Sequence, residues 1–193
     1  LGRSVQANPK LTAEVVRRGF EVGNHSYSHP QFTKVGADGT RRELRRTAEL
    51  ITTSAGSDVV IPTMRPPYGA HNATVRAVCA EMGYPVILWD VDTNDWRSGM
   101  TTEKIVATVV DEARDGSIIL MHDRLPSTVP ATARIIDELR AKGFEFVTVS
   151  QLLAHPRTGT AAKPETPAPP KASAPAKKSP RATPAPARVR TSE

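Results

Sequence analysis

A single cysteine, Cys79, occurs in the 193 residues, so no disulfide can form within the chain. Cysteine content therefore says nothing about the redox compartment. Cys79 falls in a helical apolar pattern over residues 75–82 and is expected to pack there as a small hydrophobe. No run is apolar enough to cross a bilayer, which takes about twenty mostly apolar residues. No signal peptide is visible, and the first residues are Leu1-Gly2-Arg3 rather than Met. A targeting segment ahead of Leu1 is therefore left open.

Large apolar residues all but vanish after residue 155, and so do acids. Residues 156–193 are mainly Pro, Ala, Lys, Arg, Thr and Ser, with eight basic residues against Glu165 and Glu193. That surplus is the whole formal charge of +6, because residues 1–155 hold eighteen basic and eighteen acidic residues. The high pI belongs to the tail, and the global charge gives no ground for a nucleic-acid-binding fold. Two segments follow: a domain over 1–155 and a tail over 156–193. The tail cannot bury enough apolar surface to offset chain entropy, so it is expected to be disordered and partly extended in polyproline II. It serves either as a solvated linker or as a spacer touching polyanions such as anionic cell-wall polymers or membranes.

Within 1–155, helix and strand signals alternate. Asn8 and Pro9 open a helix as cap and first helical residue, Leu11, Val15 and Val16 give its apolar face, and Gly19 ends it. Residues 20–23 read as a short strand. A charged helix covers 39–51, with Leu44 and Leu50 inward. Strand fragments at 58–62 and 64–65 run into a turn at Pro66-Pro67-Tyr68-Gly69. Asn72 caps a helix that stops at Gly83. Residues 85–89 read as a buried strand, 101–113 as a helix with Glu103 in its first turn, and 117–121 as a strand. A helix over 131–142 ends at Gly143, and 144–149 read as a last strand. Such alternation argues for α/β architecture with a largely parallel sheet, open or closed into a barrel.

Polar clusters follow the strands. The first is His25-Ser26-Tyr27-Ser28-His29. On one helical turn, residues i and i+4 project from the same face. Two neutral imidazole nitrogens can then reach one divalent ion at about 2.0–2.1 Å each. Two protein ligands make a weak site, so a third ligand and open positions for water are expected. Taken alone, the pair fits a surface or capping role equally well. The other clusters are Arg65-Pro66-Pro67-Tyr68-Gly69, Asp92-Thr93-Asn94-Asp95-Trp96 and Leu120-Met121-His122-Asp123. In parallel α/β folds the loops after the strands line the site, and all four clusters stand there.

These four motifs, in this order, resemble the polysaccharide deacetylases with a NodB-homology domain. The resemblance covers nearly all of 1–155. It implies a distorted (β/α) barrel of parallel strands and metal-dependent removal of acetyl groups from a polysaccharide, such as peptidoglycan, chitin oligomers or acetylated xylan. In that family two histidines and an aspartate hold a divalent metal, zinc, and a second aspartate is the general base. Both aspartates belong to a Thr-Phe-Asp-Asp-Gly-Pro motif ahead of the histidine motif. That motif is not in these 193 residues, so the third protein ligand is missing here. The expectation is an N-terminally truncated domain lacking its first strands, with little activity in this form, and a secreted or cell-wall location for the full-length protein.

The resemblance places His25 and His29 on the metal. It puts His122 as general acid, supported by Asp95, and Arg65 in the active site. The Tyr68 N–H becomes the oxyanion donor, and Trp96 and Leu120 line the substrate. Chemistry supports these residue types independently: an oxyanion needs a donor, and a leaving amine needs a proton from a group tuned near neutrality. Trp96 and Leu120 serve equally as core, and Arg65 as a surface ion pair. Asp92 orients its loop, Asp123 caps the turn after His122, His71 reads as a helix-entry residue, and His155 carries no role. Three function classes stay open: the deacetylase, a glycan-binding derivative without catalysis, and a basic-tail protein binding polyanions. No specific nucleic-acid partner is expected.

Overall fold

The computed structural model describes residues 1–155. The tail expected over 156–193 lies outside the described residues.

Helix α1 (Gly2–Ala7) precedes the predicted start of structure, and α2 (Pro9–Arg17) follows with Asn8 as cap residue and Pro9 in its first turn. Six residues are too few to show a period. Tertiary bonds hold α1 instead: the Gly2 and Arg3 amides donate to Ser26 O and Tyr27 O at 2.9 and 3.1 Å. Leu11, expected inward on α2, is exposed. Helix α3 (Phe32–Ala55) is two helical pieces joined at Gly36, whose φ 68° and ψ −176° are not helical; the second piece holds the charged helix predicted over 39–51. The bend brings Phe32 into the interior with Leu44 and Ile51, all fully buried, while Leu50 is only half-buried.

A 3₁₀ turn (Pro67–Gly69) precedes α4 (Ala73–Glu81), where the Asn72 side chain accepts from the Val75 amide at 2.9 Å. Strand β1 (Val91–Asp92), helix α5 (Thr102–Glu112), strand β2 (Ile119–Leu120), helix α6 (Thr128–Ala141) and helix α7 (Val149–Ala154) complete the described chain. Helix α5 forms where predicted, and the Thr101 side chain caps it by accepting from the Lys104 amide. The strand predicted over 144–149 does not form. Phe144 packs on the core, Phe146 and Val147 are exposed, and a Thr148–Gln151 capping box turns the chain into α7.

Every backbone pairing is parallel. β1 pairs with β2, Val91 opposite Ile119 and Asp92 opposite Leu120. Single parallel bridges join Asn24 to Met64 and Met64 to Val86. Of the strands predicted at 64–65 and 85–89 only Met64 and Val86 enter a bridge, and no residue of those predicted at 20–23 and 58–62 does, although Asn24 follows directly on the first. Phe20 and Val60 are exposed. The α/β class with parallel pairing therefore holds, but the described residues show no closed barrel.

Two buried clusters flank this ladder. Phe32, Leu44, Met64, Val75 and Cys79 form one beneath α3 and α4. Val91, Ile105, Val106, Val109, Ile135 and Leu139 lead the other, between α5 and α6. Cys79 is a buried free thiol, its pKa pushed up to about 11 by burial. A helix leaves each paired segment and returns to the next, so the loops after Asn24, Met64, Asp92 and Leu120 open at the same end.

Candidate active site

The first loop carries both histidines, and it is not a helical turn. Residues 25–29 are irregular, with Ser26 at φ 66° and His29 at φ 64°. The i, i+4 helical argument therefore does not describe how the rings meet. Two left-handed residues reverse the chain and bring the His25 and His29 rings edge to face, with centroids 5.0 Å apart. Left-handed non-glycine backbone persists only where surroundings enforce it. Here the Asn24 side chain accepts from the Ser26 amide at 3.1 Å, and Ser26 Oγ accepts from the His29 amide at 3.0 Å. Asn24 is anchored in turn by donating to Leu44 O at 2.8 Å.

His25 lies 2.7 Å from Arg65 O through Nδ1. A carbonyl can only accept, so Nδ1 carries the proton and Nε2 keeps its lone pair. Burial first, then the Arg65 charge, drives the His25 pKa down to about 3. The same two causes lower that of His29, with His122 and Arg124 adding to them. Both imidazoles are thus neutral near pH 7, as ligation requires. Among the described residues no three His, Cys, Asp or Glu side chains gather into a metal set. The donors present fit a divalent ion as two of its ligands.

The second loop forms the tight turn at Pro67–Gly69. Its hydrogen bonds run from Gly69 N to Pro66 O and from Ala70 N to Pro67 O, so neither uses the Tyr68 amide. Tyr68 has φ 61° and lays its ring against His29, centroids 4.6 Å apart. Gly69 has φ 65°, and a Cβ there would stand 2.9 Å from the Trp89 ring, so the turn needs glycine on both counts. His71 Nδ1 sits 2.9 Å from Gly69 O, the local role expected of a helix-entry residue.

The third and fourth loops meet at a buried carboxylate. Asp95 is 4% exposed, and its oxygens accept from the His122 amide, His122 Nδ1 and the Thr128 hydroxyl at 2.6, 2.6 and 2.8 Å. His122 Nδ1 is thereby the donor, and Nε2 is the ring nitrogen left for chemistry. Asp92 accepts from the Asn94 amide at 2.9 Å and shapes the loop, as expected. Thr93 donates to Leu120 O at 2.8 Å, tying the two loops together. Leu120 is buried, whereas Trp96 is half-exposed at the rim with the Arg97 guanidinium 5.1 Å from its ring.

Arg65 links the two halves. Its charge acts on His25 and His29 on one side and on Asp95 and Asp123 on the other. Burial lowers its own pKa, and the two aspartates oppose that shift. Sequence reasoning had not singled out Thr128, Asn24 or Ser26. Asn24 and Ser26 flank the histidine motif and were open to inspection. Thr128 reaches Asp95 across 33 residues, with no local signal.

The polysaccharide deacetylase family model matches residues 1–87. The chain is 38% identical over 155 residues to the peptidoglycan-N-acetylglucosamine deacetylase PgdA of Listeria monocytogenes, covering 79% of this chain and 31% of that protein. The chain thus spans about a third of that relative's length. A family 4 carbohydrate esterase from Streptomyces lividans, solved in complex with acetate, superposes with a TM-score of 0.68 at 39% identity, over 74% of this chain and 72% of that one. A CE4 family pseudoenzyme from Bacillus anthracis superposes with a TM-score of 0.73 at 29% identity, over 79% and 53%. Ordered motifs, loop positions and these likenesses agree: the chain belongs to the polysaccharide deacetylase family.

Proposed function

We propose that residues 1–155 form the catalytic face of a deacetylase that hydrolyses acetyl groups on an N-acetylglucosamine-type polysaccharide, peptidoglycan first and chitin oligomers second. The observation that carries this reading is the pairing of two neutral imidazoles with an Asp95-supported His122 around one arginine. The relatives' activity on cell-wall glycan supports the substrate class and a secreted or cell-wall location. The parallel segments are read as part of a distorted barrel of the family type, and the tail as a contact for anionic wall polymer.

His25 and His29 are the residues that would hold a divalent metal, zinc, through the ring nitrogens not engaged in hydrogen bonds. Such an ion supplies charge that polarises an acetyl carbonyl and acidifies water. The chain's own residues supply the oxyanion donor and the acid, while the carboxylate that takes the proton from the attacking water belongs to the aspartate motif not found in these 193 residues. The Tyr68 N–H donates to the oxygen that gains charge as the carbonyl carbon becomes tetrahedral. His122 protonates the departing amine nitrogen from Nε2, while Asp95 holds Nδ1–H and fixes the ring's tautomer and orientation. Arg65 keeps positive charge beside Asp95 and disfavours protonation of His25 and His29. Trp96 at the rim offers a flat apolar face to a sugar ring, and Leu120 backs the acetyl methyl.

The test is acetate release from acetylated chito-oligomers and from peptidoglycan, with added zinc or cobalt. Metal-stimulated release by a chain that also carries the aspartate motif, with little release from these 193 residues, supports the reading. The likeness to the Bacillus anthracis pseudoenzyme supports a second one, glycan binding without turnover. Saturable binding of the same oligomers without acetate release would select it.

A further inference from the structure

Glu43 projects from α3 to the histidine loop, and the deacetylase chemistry above does not use it. Its carboxylate accepts from the Tyr27 amide at 2.9 Å, the Ser28 amide at 2.7 Å and the Ser28 hydroxyl at 2.8 Å. These donors lie between the two histidines, at the middle of the reversal framed by left-handed Ser26 and His29. The inner bonds of the loop, from Asn24 and Ser26, close it on itself. Glu43 ties its apex to a helix. Arg46, one turn further along α3, stacks its guanidinium 3.5 Å from the Tyr27 ring centroid, and the Tyr27 hydroxyl donates to Gln6 at 2.7 Å. The Tyr27 ring and the peptide groups behind it are thus fastened to the same helix face.

We propose that Glu43 is a positioning residue for the histidine pair: its three hydrogen bonds hold the loop in the strained form that brings His25 and His29 together, so that a divalent ion meets a preformed pair. The inference rests on the reading of those histidines as metal ligands. Ligand-orienting partners of this kind matter because an unclamped loop must be ordered at the expense of binding. A carboxylate suits the task, since it offers acceptors only and meets three donors without an idle proton.

The test is calorimetric titration with zinc on the full 193-residue chain, together with amide hydrogen exchange. Glu43→Ala should weaken zinc binding roughly 10–100-fold. Glu43→Gln should recover most of it, because its carbonyl can accept both amides and its NH₂ can donate to a rotated Ser28 hydroxyl. Glu49→Ala, six residues along the same helix, should bind like wild type. In metal-free wild type the Tyr27 and Ser28 amides should exchange as slowly as the interior of α3, and in Glu43→Ala they should exchange fast. A folded Glu43→Ala chain with wild-type affinity overturns the proposal, as does a Gln variant as weak as Ala. If the Ala variant does not fold, the Gln variant and the wild-type exchange rates decide. Fast wild-type exchange at Tyr27 and Ser28 overturns the clamp on its own. No zinc binding by wild type would instead overturn the metal-site reading, and slow or fast exchange would still uphold or overturn the clamp.

Discussion

Keeping His25 neutral in the folded chain carries a cost that acidification reveals. Burial and then the Arg65 charge pull the ring's pKa from the ordinary 6.5 down to about 3, against the hydrogen bond to Arg65 O, which opposes that shift. The unfolded chain lacks those surroundings and takes up a proton near 6.5. Below that pH the unfolded state therefore binds more protons than the folded one, and acid favours unfolding. The slope is about 1.4 kcal/mol per pH unit through the window between the two pKa values. At pH 4.5 the folded ring is still neutral, and the term reaches about 2.7 kcal/mol against about 0.2 at pH 7. The perturbation is His25→Asn, which can still donate an N–H toward Arg65 O but does not titrate. Urea unfolding followed by circular dichroism, at pH 7 and at pH 4.5, measures the effect. Wild type should lose about 2.5 kcal/mol more than the variant between the two pH values. Equal losses would show that His25 titrates normally in the folded protein, and the argument for a permanently neutral ligand would fall with it.

Other outcomes are equally specific. In a chain that also carries the aspartate motif, His122→Ala should lower kcat for acetate release roughly 10²–10⁴-fold while zinc content by metal analysis stays unchanged; loss of zinc as well would make His122 a ligand. A His25→Ala/His29→Ala double variant should show no zinc binding in calorimetry, and binding equal to wild type would reject the metal assignment. Leu44→Ala, at a fully buried position, should cost about 2–5 kcal/mol in urea unfolding, whereas Leu11→Ala, at an exposed one, should stay within about 0.5 kcal/mol. Similar losses at both positions would contradict the core described here.

Much of the candidate site was legible before any coordinates. Each of the four motifs stood after an apolar segment, and the parallel pairing puts those segment ends together. Helix starts at Pro9 and Ala73 followed from Pro9 itself and from the Asn72 cap, since a first-turn proline and a side-chain cap are local signals written in one or two residues. Apolar spacing placed Leu44 and Cys79 inside, as found.

Other features needed the folded chain. Helix α1 depends on carbonyls of the histidine loop, and the first piece of α3, ahead of the kink at Gly36, carries the buried Phe32. The strands at 20–23, 58–62 and 144–149 were read from apolar runs, but a strand exists only where a partner backbone pairs with it, and pairing is decided across the fold. The histidine spacing suggested a common face for the right outcome and the wrong reason. The rings meet through left-handed backbone at Ser26 and His29, which no propensity favours and which acceptors on Asn24, Ser26 and Glu43 enforce. Residue types and their order thus pointed to the family to which this chain belongs. Which protons sit on which ring nitrogens, and how the loops are held, were settled by contacts between residues distant in sequence, because hydrogen-bond acceptors act over ångströms and not along the chain.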